Sequence, residues 1–131
     1  MLLNCTNHPY RIWSEPMKRE AEKLYGEVEE LPFPSVDPAW CADDLRREVG
    51  AYAARIEAYH ADAVLAAGEF TFLFMLVDRL LKDGLHVICS CSERNTVEVK
   101  RPDGSNEKKS VFVFSGFRPY ARYDEKGSDN G

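Results

Sequence analysis

Arg94, Ser92 and Glu69 are the side chains of this sequence best suited to work on a phosphate ester. The planar guanidinium of Arg94 matches an oxyanion with paired donors, the alternative being an ion pair with Glu93 or Glu98. Ser92 can donate to a phosphate oxygen, position a ribose hydroxyl or cap a turn. Glu69 suits three tasks: general base, ribose anchor, or complement to the positive end of a helix. Thr71 adds a hydroxyl in the same helical turn. His8 titrates near neutral pH and could pass a proton, although a single loop histidine also serves as plain polar surface. These residues fall in three stretches: Asn7-His8, Gly68-Glu69-Phe70-Thr71 and Ser90-Cys91-Ser92-Glu93-Arg94.

Each stretch follows a segment with strand character. Leu2, Leu3 and Cys5 predict a strand over Met1–Thr6, and Pro9 then holds Asn7–Tyr10 in a loop. Val64–Ala67 is apolar, long enough for a buried strand and too short for a helix. Gly68 permits a sharp turn, and Glu69-Phe70-Thr71 opens a helix that runs to Lys82 and stops at Gly84. Leu85–Cys91 is a further strand, near-continuously apolar and therefore central and parallel, with Ser92–Arg94 in the loop beyond it.

The remaining elements complete the alternation. Ser14 caps a helix with Pro16 in its first turn, Met17, Ala21 and Leu24 inward, and Gly26 at its end. Glu27–Phe33 alternates weakly and suits an edge strand. After the rigid Pro32–Pro38 connection a helix starts at Asp37-Pro38 or restarts at Ala42. Leu45, Val49, Tyr52, Ile56 and Tyr59 form its inner stripe, to about His60. Thr96–Lys100 and Val111–Phe117 alternate around Asp103-Gly104, a hairpin signal. The expected fold is α/β: a three-layer Rossmann-like sheet of four mainly parallel strands with flanking helices and a C-terminal β-hairpin. One domain spans 1–120, and 121–131 is a polar, flexible tail.

The central helix carries more apolar surface than one face needs. Phe70, Leu73, Phe74, Val77 and Leu81 make the inner face, while Phe72, Met75 and Leu76 widen it. The extra width either buries the helix within its own domain or contacts another copy, and contact with another copy through Phe72 and Met75 is the expectation.

Bulk composition narrows the function classes. The net charge is −5. It divides into 9 Lys/Arg against 16 Asp/Glu over residues 1–93, and 8 against 5 over residues 94–126. An acidic chain is a poor binder of long nucleic acid, so a small phosphate ligand in a local basic pocket is the alternative to a merely solvated basic hairpin. No apolar run reaches transmembrane length, and the first residues lack a signal peptide's regions, so a cytoplasmic location is expected. Cys5, Cys41, Cys89 and Cys91 are expected as reduced thiols, and the three scattered histidines predict no metal site. GxGxxG, P-loop and GxSxG patterns are absent, which argues against a dinucleotide cofactor, an ATPase and an α/β hydrolase.

A set of short motifs resembles a known group. Leu3-Asn4-Cys5-Thr6-Asn7-His8-Pro9, Ala66–Thr71 with Leu76-Val77, Cys91-Ser92-Glu93-Arg94, Asp103-Gly104 and Phe117-Arg118-Pro119-Tyr120 are similar to small CRISPR-associated proteins of the ring-nuclease type. The resemblance spans most of residues 2–120. It implies a homodimer that binds a cyclic oligoadenylate messenger, with cyclic tetraadenylate the expected ring, and cleaves it to end a type III CRISPR response. It puts weight on Glu69, Thr71, Ser92 and Arg94. Attack by a ribose 2′-hydroxyl on its own 3′-phosphate needs no metal or cofactor, only orientation and charge stabilisation. A non-catalytic messenger- or nucleotide-binding module uses the same residue types, and an unrelated nucleoside- or sugar-phosphate enzyme is a third reading.

Overall fold

The computed structural model describes residues 1–125. In chain order the elements are β1 (Leu2–Cys5), α1 (Glu15–Tyr25), β2 (Val28–Glu30), α2 (Ala42–Glu57), β3 (Ala63–Ala66), α3 (Phe70–Lys82), β4 (Val87–Lys100) and β5 (Asn106–Pro119). A short 3-10 turn at Tyr10–Ile12 occupies part of the expected first loop. The strands form one mixed five-stranded sheet in the order β2-β1-β3-β4-β5. β1 pairs in parallel with β2 and β3, β3 pairs in parallel with β4, and β5 returns antiparallel to β4.

β3, and β1 apart from Asn4, are apolar because both faces are covered, whereas the edge strand β2 carries exposed Glu29 and Glu30. Leu3, Cys5, Val64 and Val87 enter a core with Tyr52 and Ile56 of α2 and Phe72 and Leu76 of α3. Leu2, Ala63, Leu65 and Ile88 enter a second core with Trp13 and with Ala21 of α1. Helix ends follow their local signals. Ser14 accepts from the Met17 amide, and Gly26 terminates α1 at φ +81°. The Asp44 carboxylate accepts from the Cys41 amide at 3.0 Å to open α2.

Several expectations are corrected. Leu24 is exposed rather than inward, and Tyr25 packs on Phe117 in its place. β2 is only Val28–Glu30, and α2 ends at Glu57, short of Tyr59 and His60. The inner face of α3 is turned rather than lost: Val77 is buried and Leu73 and Leu81 pack on the core as expected, but the phenylalanines change places. Phe72 is wholly buried among Phe33 and Tyr52, and Met75 packs against the same core. Phe70 and Phe74, expected inside, are 86% and 80% exposed. On a helix apolar nearly all round, the neighbours above the sheet decide which side is buried, and here α2 and Phe33 claim the Phe72–Leu76 side.

The largest correction concerns Ser90–Arg94, which form no loop. β4 runs unbroken from Val87 to Lys100, with Ser92 opposite Phe114 and Arg94 opposite Phe112. A single bulge between Cys91 and Ser92 absorbs Ser115, whose hydroxyl donates to the Cys91 carbonyl at 3.1 Å. Backbone pairing with the apolar Val111–Phe114 run carries the polar segment as a strand. Of the expected tail, Ala121–Asp124 lie along α3, and 126–131 fall outside the described residues.

Candidate functional site at the strand-order switch

β1 and β3 lie side by side with Cys5 opposite Ala66, so the segments after them leave the same sheet edge together. From β1 the chain returns to β2 on one side, and from β3 it returns to β4 on the other. That divergence opens a crevice beyond the strand ends, where open α/β sheets take their ligands. Asn7-His8 and Gly68-Glu69-Phe70-Thr71 are the segments that flank this candidate crevice.

A buried polar cluster fixes the β1 side. Asn4 is completely buried, and its Nδ2 donates to the His8 carbonyl and to Glu30 Oε2, both at 2.9 Å. Thr6 Oγ1 donates to Asn4 Oδ1 at 2.7 Å, and Trp13 Nε1 donates to the His8 carbonyl at 2.9 Å. The second Glu30 oxygen accepts from the Tyr10 amide at 2.7 Å. The backbone of Asn7–His8 is thus clamped, while both side chains face solvent. Neither Asn4 nor Glu30 stood out as functional in the sequence. The available signal was a carboxamide inside the otherwise apolar run Leu2-Leu3-Asn4-Cys5.

On the β3 side, Gly68 lies against the ring of Phe33, and a Cβ there would fall within that ring. The glycine is required by close approach, so the connection after β2 is locked over the start of α3. Tyr120 adds a hydroxyl that donates to the Ala66 carbonyl at 2.9 Å, at the end of β3.

Glu69 is the N-cap of α3. Its carboxylate accepts from the Thr71 amide at 3.0 Å, the Phe72 amide at 2.8 Å and the Thr71 hydroxyl at 2.8 Å. The Phe72 amide, then the Thr71 hydroxyl and amide, hold its pKa below the ordinary glutamate range. Such a carboxylate is a weakened base; it orients Thr71 and satisfies amides that an anion would otherwise find. Because the folded-state pKa is depressed, the cap contributes fully above the unfolded pKa and is lost as pH falls through the lower folded value. Glu69→Gln should therefore flatten the acid limb of thermal stability: the loss is fullest near pH 7 and fades as pH falls through the ordinary glutamate value of about 4.3 and below. Melting curves across that range check this.

Ser92 and Arg94 do not join this group within one chain. Cys89 is level with Ala66, since Val64 and Leu65 pair with Val87 and Ile88. At about 3.3 Å per residue, Ser92 lies roughly 10 Å and Arg94 roughly 17 Å beyond the end of β3. Strand alternation puts both on the face of Ile88, the α1 side, with Cys89 and Cys91 on the other. Arg94 is exposed and makes no ion pair among the described residues, so neither Glu93 nor Glu98 engages it. The thiols are not primed as nucleophiles: burial pushes Cys5 up to about 12, and burial followed by the neighbouring Cys91 raises Cys89.

A groove of about 610 Å³ lies elsewhere. It follows the outer face of α3 from Phe70 and Phe74 to Leu81, walled by Tyr120 and Tyr123. Its lining is mostly apolar, with Asp78, Arg122 and Asp124 the charged exceptions, and the crevice is kept as the candidate ligand site. Among the described residues no group of three or more His, Cys, Asp or Glu is placed to hold a metal ion. Among the same residues no helix is long and apolar enough to cross a membrane.

The fold is that of an α/β protein with a mixed, mostly parallel sheet, and the clamped loops at the carboxyl ends of β1 and β3 are its candidate site. The chain belongs to the uncharacterized protein MJ1673 family, whose model matches residues 1–118. No curated protein matches it.

Proposed function

We propose that this chain is a ring nuclease of CRISPR defence: a cytoplasmic homodimer that binds a cyclic oligoadenylate, with cyclic tetraadenylate the expected ring, and opens it. The observation that supports this reading is that Asn7-His8 and Gly68–Thr71 follow the adjacent, in-register ends of β1 and β3. Those are two of the stretches that resemble such nucleases, and the sheet is read as a minimal form of their three-layer Rossmann-like fold. The 2′-oxygen attacks the adjacent phosphorus, the P–O5′ bond breaks, and the 2′-hydroxyl proton passes to the leaving 5′-oxygen. Linear products then end in a 2′,3′-cyclic phosphate. The clamped loops orient the ribose, Thr71 and Ser92 offer hydroxyl donors, and Arg94 offsets charge on the phosphorane.

One observation favours a second reading, a sensor or sink that binds without cleaving: the Glu69 carboxylate is already committed to three donors. Incubating the protein with cyclic tetra- and hexaadenylate and resolving the products decides between the two. Linear products with cyclic phosphate ends support the nuclease, tight binding of an unchanged ring supports the sensor, and binding of neither ring removes both. Arg94→Ala should weaken binding by a factor of about 30 or more, the usual consequence of removing a charge-assisted contact.

A further inference from the structure

The β4–β5 hairpin is far longer than the sheet it belongs to. β3 ends level with Cys89, yet β4 continues to Lys100, about 36 Å further along the strand at ~3.3 Å per residue. Over that length its only ladder partner among the described residues is β5. A two-stranded ribbon on its own is marginal in water and needs something packed on a face. This one has the surface for it. Pairing puts Val97 and Val99 of β4 on the same side as Val111 and Val113 of β5, all partly exposed. Phe112 is 73% exposed on the opposite side.

Charge identifies the occupant. Residues 94–119 carry six Lys/Arg against three Asp/Glu, a net +3, whereas residues 1–93 carry 9 against 16, a net −7. The arm is thus complementary to the body of its own chain, yet it projects past the sheet edge, away from that body. The valine side of the arm is the α3 side of the sheet, the side on which Phe70 and Phe74 stand uncovered. A two-fold axis near that edge lets each arm lie against the other copy's body, valines toward the exposed phenylalanines, which closes the contact isologously.

The geometry points to the β4–β5 arm as a clasp that closes on a second copy of this chain. Arg94, on the opposite face of the arm with Phe112, stays clear of that contact. The proposal gives a surface to the homodimer of the reading above. Its test contains no nucleotide, so the two can fail separately.

Sedimentation of the full chain over a concentration series should show a dimer, twice the 14.9 kDa chain mass. Val97→Glu/Val111→Glu and Lys108→Glu/Lys109→Glu should each raise its dissociation constant by at least about tenfold, and added salt should weaken the wild-type dimer. Unchanged far-ultraviolet circular dichroism establishes that the variants fold, since all four positions lie outside both cores. Amide exchange over Thr96–Lys100 and Glu107–Val111 should slow as concentration rises through the dimerisation range. A wild-type chain that stays monomeric at tens of micromolar overturns the proposal. So does a dimer whose strength neither double variant alters, or arm protection that does not depend on concentration.

Discussion

Phe72→Ala should cost about 3–5 kcal/mol of folding stability, a large share of the roughly 5–15 kcal/mol that holds a domain of this size together. Phe72 is wholly buried and stacks edge-on with Phe33 at 5.2 Å and Tyr52 at 5.9 Å between ring centres. Removing it leaves a cavity where α2, α3 and the Leu31–Phe33 connection meet, and that region is too crowded to collapse cheaply. Phe33 also seals Gly68, so the loss should loosen the start of α3. Urea unfolding measures the effect. A stability within about 1 kcal/mol of wild type, accompanied by a weaker dimer, would restore Phe72 to the interface. Phe74→Ala, four-fifths exposed, should by contrast leave monomer stability nearly unchanged.

That contrast shows where the sequence was informative. Length, turn residues and caps located α1 at Ser14, α3 from Gly68 to Gly84, and the buried strand before it. These signals are local, and the structure obeys them. Which side of α3 faces inward is not local information. Phe70, Phe72, Phe74 and Leu76 are all apolar, so the choice belongs to α2 and Phe33, more than ten residues away in the chain. The same reason hid the character of Ser92 and Arg94. Their own polar surroundings suggest a loop, and only pairing with Phe114 and Phe112 across the hairpin makes them strand. The two loops beside β1 and β3 were recognisable as site stretches. The Asn4–Glu30 cluster that fixes one of them depends on β2 lying beside β1 and was therefore invisible.

The same cluster supplies the sharpest test of how the crevice is built. Asn4→Asp changes almost no volume but replaces a donor with an acceptor at a completely buried position. The amide nitrogen it removes serves the His8 carbonyl and the Glu30 carboxylate, both acceptors. The new carboxylate would face them with no proton to offer, beside a like charge. An uncompensated buried charge costs about 3–5 kcal/mol, and that is the loss expected near pH 7. The pH dependence follows from the sign of the shift. Burial and Glu30 raise the folded-state pKa of the new group above the ordinary value of about 3.9. The penalty is therefore complete above the raised value and shrinks as pH falls toward the unfolded one, where a protonated carboxyl can again donate to His8. Asn4→Leu, which removes the amide without adding charge, should cost less at neutral pH and lack this acid recovery. Urea unfolding of the three proteins at about pH 7 and 4.5 separates them. If Asn4→Asp matches wild type at neutral pH, the clamp on the His8 carbonyl is not what holds the β1 side of the crevice. If it is destabilised and regains stability in acid, the geometry of Asn7–His8 rests on one buried amide at the end of β1.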